Sequence, residues 1–551
     1  MPELLRDCRQ QFDPLPTRKE KMKLTKPILA GAAVVTAVAF AASAIALGAK
    51  PVYVLSKNAA VEVKVIATVG DQVTGTIVRG IPDGMGAYDN GRGGITLLSV
   101  HEVATGNPFA QKGKSTTAPW GTSITKFTVS KTTKAVTNVS NFMKNVNFYN
   151  YTTGKYQETP AGAAPVGATA GFFDWGISRF CSATYAPAGT FIHNGVGYAN
   201  GLFLSGEETG DESRGFAFDE DGTGYQLPRM GMLSFENIMP SLKPGANTVV
   251  IAAEDGSATD SQLYVYAGKK QSTGTAIDKA GLTNGDLHVM NIPTIKSDNA
   301  FRTTVGKNKK MPAEFVKVDW NTTTSAFAKE SREKGTTMAR VEDGHWDPSN
   351  PDVFYFVTTE SNKDPIATAP NPATPTVSRD GGALWRLTFK DAQNPAAGAE
   401  IEMLLNGGES VYMSKPDNIT VTEDGKYILI QEDPGNNAAL ARIIAYRVSD
   451  SKLAVVAQFD ANKFIKGASE FMTEDEESSG IIDVTKLLAK PGDTNAYFFF
   501  NAQVHTSGSI AARPDLAKRN AAKKEAINTA TVEGGQFYVM TISNWDTVFN
   551  G

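Results

Sequence analysis

From Val52 onward one pattern of apolar and polar positions recurs six times. A short apolar run stops abruptly in acids or histidine: Leu97-Leu98-Ser99-Val100-His101-Glu102, Leu202-Phe203-Leu204-Ser205-Gly206-Glu207-Glu208 and Val249-Val250-Ile251-Ala252-Ala253-Glu254-Asp255. It returns as Phe354-Tyr355-Phe356-Val357-Thr358-Thr359-Glu360, Tyr427-Ile428-Leu429-Ile430-Gln431-Glu432-Asp433 and Phe498-Phe499-Phe500-Asn501-Ala502-Gln503-Val504-His505. A second strand-like run follows each: 124–129, 215–218, 262–266, 383–389, 442–448 and 536–542. Turn-forming clusters such as Glu423-Asp424-Gly425-Lys426 and Pro491-Gly492-Asp493-Thr494 precede most of the first runs, and ahead of them lies another extended segment, such as 418–422. Each unit therefore predicts strand, turn, strand, connection, strand, which is most of a four-stranded antiparallel sheet.

Six such sheets arranged radially make a propeller, in which each blade buries its faces against its neighbours. The expectation is an all-β fold, a six-bladed β-propeller occupying 50–551 as a single domain. Two β-sandwiches are the alternative. The repeats are spaced unevenly, by about 47 to 105 residues, so the propeller carries long inter-strand insertions. Composition agrees. The 551 residues are 41% hydrophobic and include 51 glycines and 27 prolines, which favours turns and strands over long helices.

Residues 1–21 are polar, charged and without apolar periodicity. Met22-Lys23-Leu24-Thr25-Lys26 then opens an uncharged, Ala- and Val-rich stretch from Pro27 to Ala49, ending in small residues at Ala42-Ser43-Ala44 and Ala44-Ile45-Ala46. A basic region, an apolar core and an A-x-A end predict a cleavable secretory signal peptide of the Sec type, with translation starting at Met22; a membrane anchor is the alternative. The expected location is periplasmic or secreted, with no stable anchor after cleavage. Removing the leader takes seven Lys/Arg and four Asp/Glu, leaving 47 basic and 54 acidic residues and a net charge of −7. That balance excludes a duplex nucleic-acid binder and suits hard cations. It also leaves one thiol, Cys181, which is either a small buried apolar residue or a group occupied by a ligand.

In a propeller the inner strands meet around a channel, so polar residues at equivalent positions of different blades converge. Just before the turns stand Asp83, Cys181, Glu236-Asn237, Arg340-Val341-Glu342-Asp343 and Lys415-Pro416-Asp417-Asn418. Carboxylates brought together repel, and metal cations relieve the repulsion. Arg340 and Lys415 either pair with their neighbours Glu342 and Asp417 or hold an anion that also touches the metals. Metal, thiolate, carboxylate, Arg and Lys around one channel mouth form a phosphoester-hydrolase inventory. Other motifs are weak. Asp219-Glu220-Asp221-Gly222-Thr223-Gly224 lacks the acid at the twelfth position of a calcium loop and is explained by a β-turn. Glu474-Asp475-Glu476-Glu477 reads as a solvated charge run, with a metal role open.

The stretch 84–102, Phe180-Cys181-Ser182, Leu204-Ser205-Gly206-Glu207-Glu208, Phe235-Glu236-Asn237, Arg340-x-Glu342 and Lys415-Pro416-Asp417-Asn418 together resemble the PhoX-type alkaline phosphatase family, in order, from about residue 60 to the C-terminus. The resemblance implies a six-bladed propeller whose channel holds calcium and iron, with a cysteine thiolate on iron, and phosphomonoester hydrolysis outside the cytoplasm. By matching position it implies Glu102, Cys181, Glu236, Glu342 and Asp417 as metal ligands and Arg340 and Lys415 as holders of the phosphoryl group; the expected partners are small phosphorylated substrates and the expected state is a monomer. Two positions depart from the family pattern: Val100 stands for Asn in Asn-His-Glu, and Phe235 for His in His-Glu. The twin arginines typical of the family's export signal are also absent from this leader. Competing functions are a calcium-dependent propeller lactonase or phytase, and a non-catalytic, calcium-stabilised envelope binding protein.

Overall fold

The repeated apolar runs become strands buried on both faces. In Gly94–His101, Leu202–Glu207 and Val353–Thr358 every residue is buried. Successive side chains of a strand point to opposite sides, so a strand covered on both sides reads as a continuous apolar run. Leu97 enters one apolar cluster and Leu98 the next; Phe498 and Phe500 face one neighbour while Phe499 faces the other.

The computed structural model describes residues 51–104, 121–169, 176–359, 381–435, 439–506 and 532–550; the expected signal segment and Glu360 lie outside them. The described part is mostly β and falls in one compact unit, Leu47–Gly551. Six innermost strands are labelled here β1 (Pro82–Asp89), β2 (Phe180–Ala186), β3 (Phe235–Pro240), β4 (Val341–Trp346), β5 (Pro416–Val421) and β6 (Glu476–Asp483). Each begins an antiparallel sheet unit that runs outward. Unit one continues through Gly94–His101, Ser123–Ser130 and Val136–Asn141. Unit three continues through Asn247–Glu254, Leu263–Lys269 and Asp286–Asn291. All twelve runs read from the sequence fall in the second and third strands of the six units.

The units stand in cyclic order. Each of β1 to β5 touches the next inner strand, and β6 returns to β1. One apolar cluster lies between every neighbouring pair, from Phe354 and Val249 between units three and four to Phe499 and Leu97 between units six and one. The two cores of a sandwich pair are not what holds the described residues together. The ends of the chain close the ring: Val61–Thr68 pairs antiparallel with Gly534–Ile542, so the first part of the chain supplies the outermost strand of the last sheet. Units three and four are further tied by Lys310–Val318, which pairs with both outer strands. Helices Asp298–Thr304 and Thr324–Lys334 lie in the insertion between these units. Among the described residues no helix is long and apolar enough to cross a membrane.

Stability therefore resides in the clusters between units. Phe500, fully buried and stacked on Tyr538 with ring centroids 4.5 Å apart, is expected to cost about 3–5 kcal/mol on change to Ala. Val196→Ala, at a 40% exposed position, should stay within about 0.5 kcal/mol. Urea unfolding of the two variants checks both.

Candidate metal centre

Every inner strand carries the same irregularity near its start. In β1 to β5, two residues oppose one on the second strand, between Pro82/Met85, Phe180/Ala183, Phe235/Ile238, Val341/Gly344 and Pro416/Ile419; β6 has its extra residue between Ser479 and Ile481. A bulge re-aims side chains. In units one to five its first position holds Asp83, Cys181, Glu236, Glu342 and Asp417 and its second Gly84, Ser182, Asn237, Asp343 and Asn418; in unit six the unpaired residue is Gly480, next to Ser479, which pairs with Asn501. At the same end, the residue after each second-strand terminus is Glu102, Glu208, Asp255, Thr359 or Asp433 in units one to five. Each of these donates its N–H to the carbonyl just before the inner strand: Ile81, Arg179, Ser234, Arg340 or Lys415, at 2.8–3.0 Å.

The first bulge positions and second-strand ends build a chain of three donor groups: Asp83, Glu102 and Cys181; Cys181, Glu208 and Glu236; Glu236, Glu342 and Asp417. Within each, ligand atoms lie within 4.8 Å of one another, and Cys181 and Glu236 belong to two groups each. All five ligand positions expected from the sequence are thus brought together across five units. Asp83, a candidate by its turn position, joins them, as does Glu208, which ends the second apolar run.

The electrostatics ask for cations. Burial, then the charges of Glu342, Asp83 and Glu208, push the Glu236 carboxyl well above its ordinary range. Burial and neighbouring acids do the same to Asp83, Glu342 and Asp417. The Cys181 thiol, 3.2 Å from Asp83 Oδ2, is pushed up by burial and by Glu102, Glu208, Glu236 and Asp83. Glu102 is the exception: burial opposes its ionisation, but Arg179, Asp83 and Gln503 outweigh that and lower it. Both oxygens of Glu236, Asp83 Oδ1 and Asp417 Oδ1 are buried with no hydrogen-bond donor. An unpaired buried carboxylate is costly, and a bound cation removes the cost. The donor set fits metal ions.

Three cations precede inner strands at equivalent positions: Arg179, Arg340 and Lys415. Arg340 and Lys415 have φ of +59° and +45°, a left-handed backbone that costs energy outside glycine. Arg340 donates Nε and Nη2 to Asp255 at 2.8 and 2.7 Å, with Glu342 at 3.2 Å, so its principal partner is Asp255 and not the neighbour in sequence. Lys415 acts on Asp433, whose carboxyl burial raises and Lys415 partly lowers. Behind Arg179 and Lys415 sit matching buried pairs. Glu207 accepts Ser178 N–H and holds Arg214; Glu432 accepts Ser414 N–H and holds Arg442. Each pair fixes the residue before a rim cation.

Other readings change. Glu476 and Glu477 are buried in β6 and not a solvated run. Burial pushes Glu477 up to about 7 despite His505. His505 itself is held protonated: burial opposes its charge, but Glu477 and Glu533 raise it to about 11. Val100 belongs to the apolar cluster between units one and two, and Phe235 to that between units two and three, so both departures from the family pattern are core side chains here. His101, bonded to Gly80 O and Thr125 Oγ1, is lowered to about 3 by burial and stays neutral. Within residues 219–224, 220–222 form the turn between two strands, with Gly222 at φ +93°.

The second bulge positions close the axis. Asn237 Nδ2 donates to Asp343 Oδ1 at 2.6 Å, Asn418 Nδ2 to Ser182 Oγ at 3.2 Å, and Gly480 N to Asn418 Oδ1 at 2.8 Å. Beyond this ring a cavity of about 810 Å³, walled by Met85, Tyr185, Met239, Trp346 and Ile419, opens at the other ends of the inner strands. It is separate from the metal centre.

Residues 217–483 match the family model for alkaline phosphatase PhoX. Over that stretch the chain resembles the PhoX family. That stretch contains Glu236, Arg340, Glu342, Lys415 and Asp417, while Glu102 and Cys181 precede it. PhoX enzymes are metal-dependent phosphomonoesterases, which accords with the donor groups above. No curated protein matches the sequence. Among solved structures, PhoX from Pseudomonas fluorescens in complex with vanadate, a transition state analogue, is 12% identical, over 91% of this chain and 98% of that one, with a TM-score of 0.56; the PhoX fold is shared. A luciferin-regenerating enzyme (11% identical, 87% and 95% covered, TM-score 0.31) and TolB from Acinetobacter baumannii (7%, 81% and 63%, 0.27) are too distant in shape to carry an argument.

Glu432→Gln strips the carboxylate from Arg442, whose side chain is only 10% exposed. The expected cost is about 3–5 kcal/mol, read as a lowered denaturation midpoint with an unchanged slope.

Proposed function

We propose that this chain is an extracytoplasmic phosphatase that hydrolyses small phosphomonoesters at the metal centre on the axis of a six-bladed β-propeller. The observation that carries the reading is the joining of three donor groups through Cys181 and Glu236, with Arg340 beside Glu342 on the same rim. The cyclic contact of six inner strands supports the propeller, and the Ala-rich leader supports export.

The donor chemistry sorts the ions. A thiolate suits a transition metal, so Cys181 with Asp83, Glu102, Glu208 and Glu236 would hold iron; Glu236, Glu342 and Asp417, all oxygen donors, suit calcium. When bound, such ions supply Lewis-acid polarisation of phosphoryl oxygens and neutralise developing negative charge. The remaining steps fall to the chain. Arg340, its plane fixed by Asp255, presents guanidinium donors to phosphoryl oxygens, and Lys415 adds a point charge. Positions set in advance by rigid strands stabilise the transition state without reorganisation. The ring of Ser182, Asn237, Asp343 and Asn418 seals the floor, so substrate enters and leaves from the rim.

Steady-state assays should show turnover of a phosphomonoester, and elemental analysis of the purified protein should find iron with calcium. Calcium alone, with no phosphomonoester turnover, would overturn the proposal. Arg340→Ala should lower kcat/KM by about 100-fold without loss of metal. Cys181→Ser exchanges a thiol for a hydroxyl, a far poorer donor to iron but no handicap to calcium. That variant should fold, keep its calcium and lose iron together with any thiolate-to-iron absorption and activity; an iron-loaded variant with wild-type turnover would remove Cys181 from the site.

A further inference from the structure

We propose that Arg179 is a third cationic contact for the phosphoryl group, alongside Arg340 and Lys415; the inference rests on the phosphatase reading above. Its basis is the repeat itself. In the first five units the position before the inner strand holds Ile81, Arg179, Ser234, Arg340 and Lys415, and in each the carbonyl of that residue accepts the N–H of a second-strand terminus. The backbone of Arg179 is thus placed on the rim by the bond that places Arg340 and Lys415. Its anchoring matches as well: Ser178, like Ser414, donates its N–H to a buried glutamate paired with arginine.

The side chain faces the same carboxylate chain. Arg179 Nη1 is 2.6 Å from Glu208 Oε2, and Nη2 bonds Glu102. Arg340 bonds Asp255 and touches Glu342. Glu208 and Glu342 each lie in a donor group with Glu236, so the two guanidinium groups contact one continuous run of candidate metal donors. The Arg179 side chain is 38% exposed, more than the 24% of Arg340, so solvent and solutes reach it. A guanidinium carries more N–H donors than these two carboxylate contacts use. Cations bound at Glu102 and Glu208 would compete for the same oxygens and turn further donors toward an anion between them.

The alternative is that Arg179 serves only as counter-charge to Glu102 and Glu208. Arg179→Lys separates the two, because lysine keeps the charge and loses the planar fork. The measurement is calorimetric titration of inorganic phosphate into metal-loaded wild type and Arg179→Lys, with metal content determined on the same samples; Arg179→Gln follows if it folds. About tenfold weaker phosphate binding by Arg179→Lys, at wild-type metal content, supports the assignment. Wild-type phosphate affinity in Arg179→Lys overturns it, as does a weakening that only tracks lost metal. A wild-type protein that binds phosphate without turning over a phosphomonoester fails the phosphatase reading, while the ratio of affinities still decides Arg179. A wild-type protein that binds no phosphate overturns this inference outright.

Discussion

Two residues facing one, at the same place in five inner strands, is the constraint on which the centre depends. A regular strand would send alternate side chains into the two neighbouring apolar clusters. The bulge interrupts that alternation once per unit and aims Asp83, Cys181, Glu236, Glu342 and Asp417 toward one another. The result is a concentration of buried acids that the protein alone cannot satisfy. Their raised proton affinities and the bare oxygens of Glu236 measure that deficit, and a set of cations is its chemical complement.

Such repulsion is tolerable only in a rigid frame. One apolar cluster between each pair of sheets, and closure of the last sheet by Val61–Thr68, hold the six bulges in register. Polar contacts refine this. Glu207–Arg214 and Glu432–Arg442 are expensive to bury, yet each binds the backbone N–H that precedes a rim cation. The positive φ of Arg340 and Lys415 is strain held in place by the same surroundings. Below the donors, the ring from Ser182 to Gly480 divides the metal centre from the large cavity at the opposite end.

Much of this was legible in the chain. The second strands announced themselves because both of their faces are covered, which turns alternation into unbroken apolar runs. The inner strands were harder: Pro82–Asp89 and Pro416–Val421 carry proline and acids where the bulge needs them, so only part of the second, 418–422, read as extended. Glu476-Glu477 read as solvated for the same reason, since a buried acid and an exposed one look alike in sequence. Asp255 as the partner of Arg340, and Arg179 as its counterpart, are contacts between units, and local spacing carries no trace of them.

The chain's own pattern determined the number of repeated units, the phase of the repeat, the lone thiol and the candidates at its turns, because burial on both faces and turn chemistry are local properties of the chain. Which carboxylates stand in one donor group, which cation faces which acid, and that Val100 and Phe235 belong to the core were decided only by the tertiary structure. Those relations join residues of different sheets, and cyclic packing with its repeated bulge alone brings them within reach.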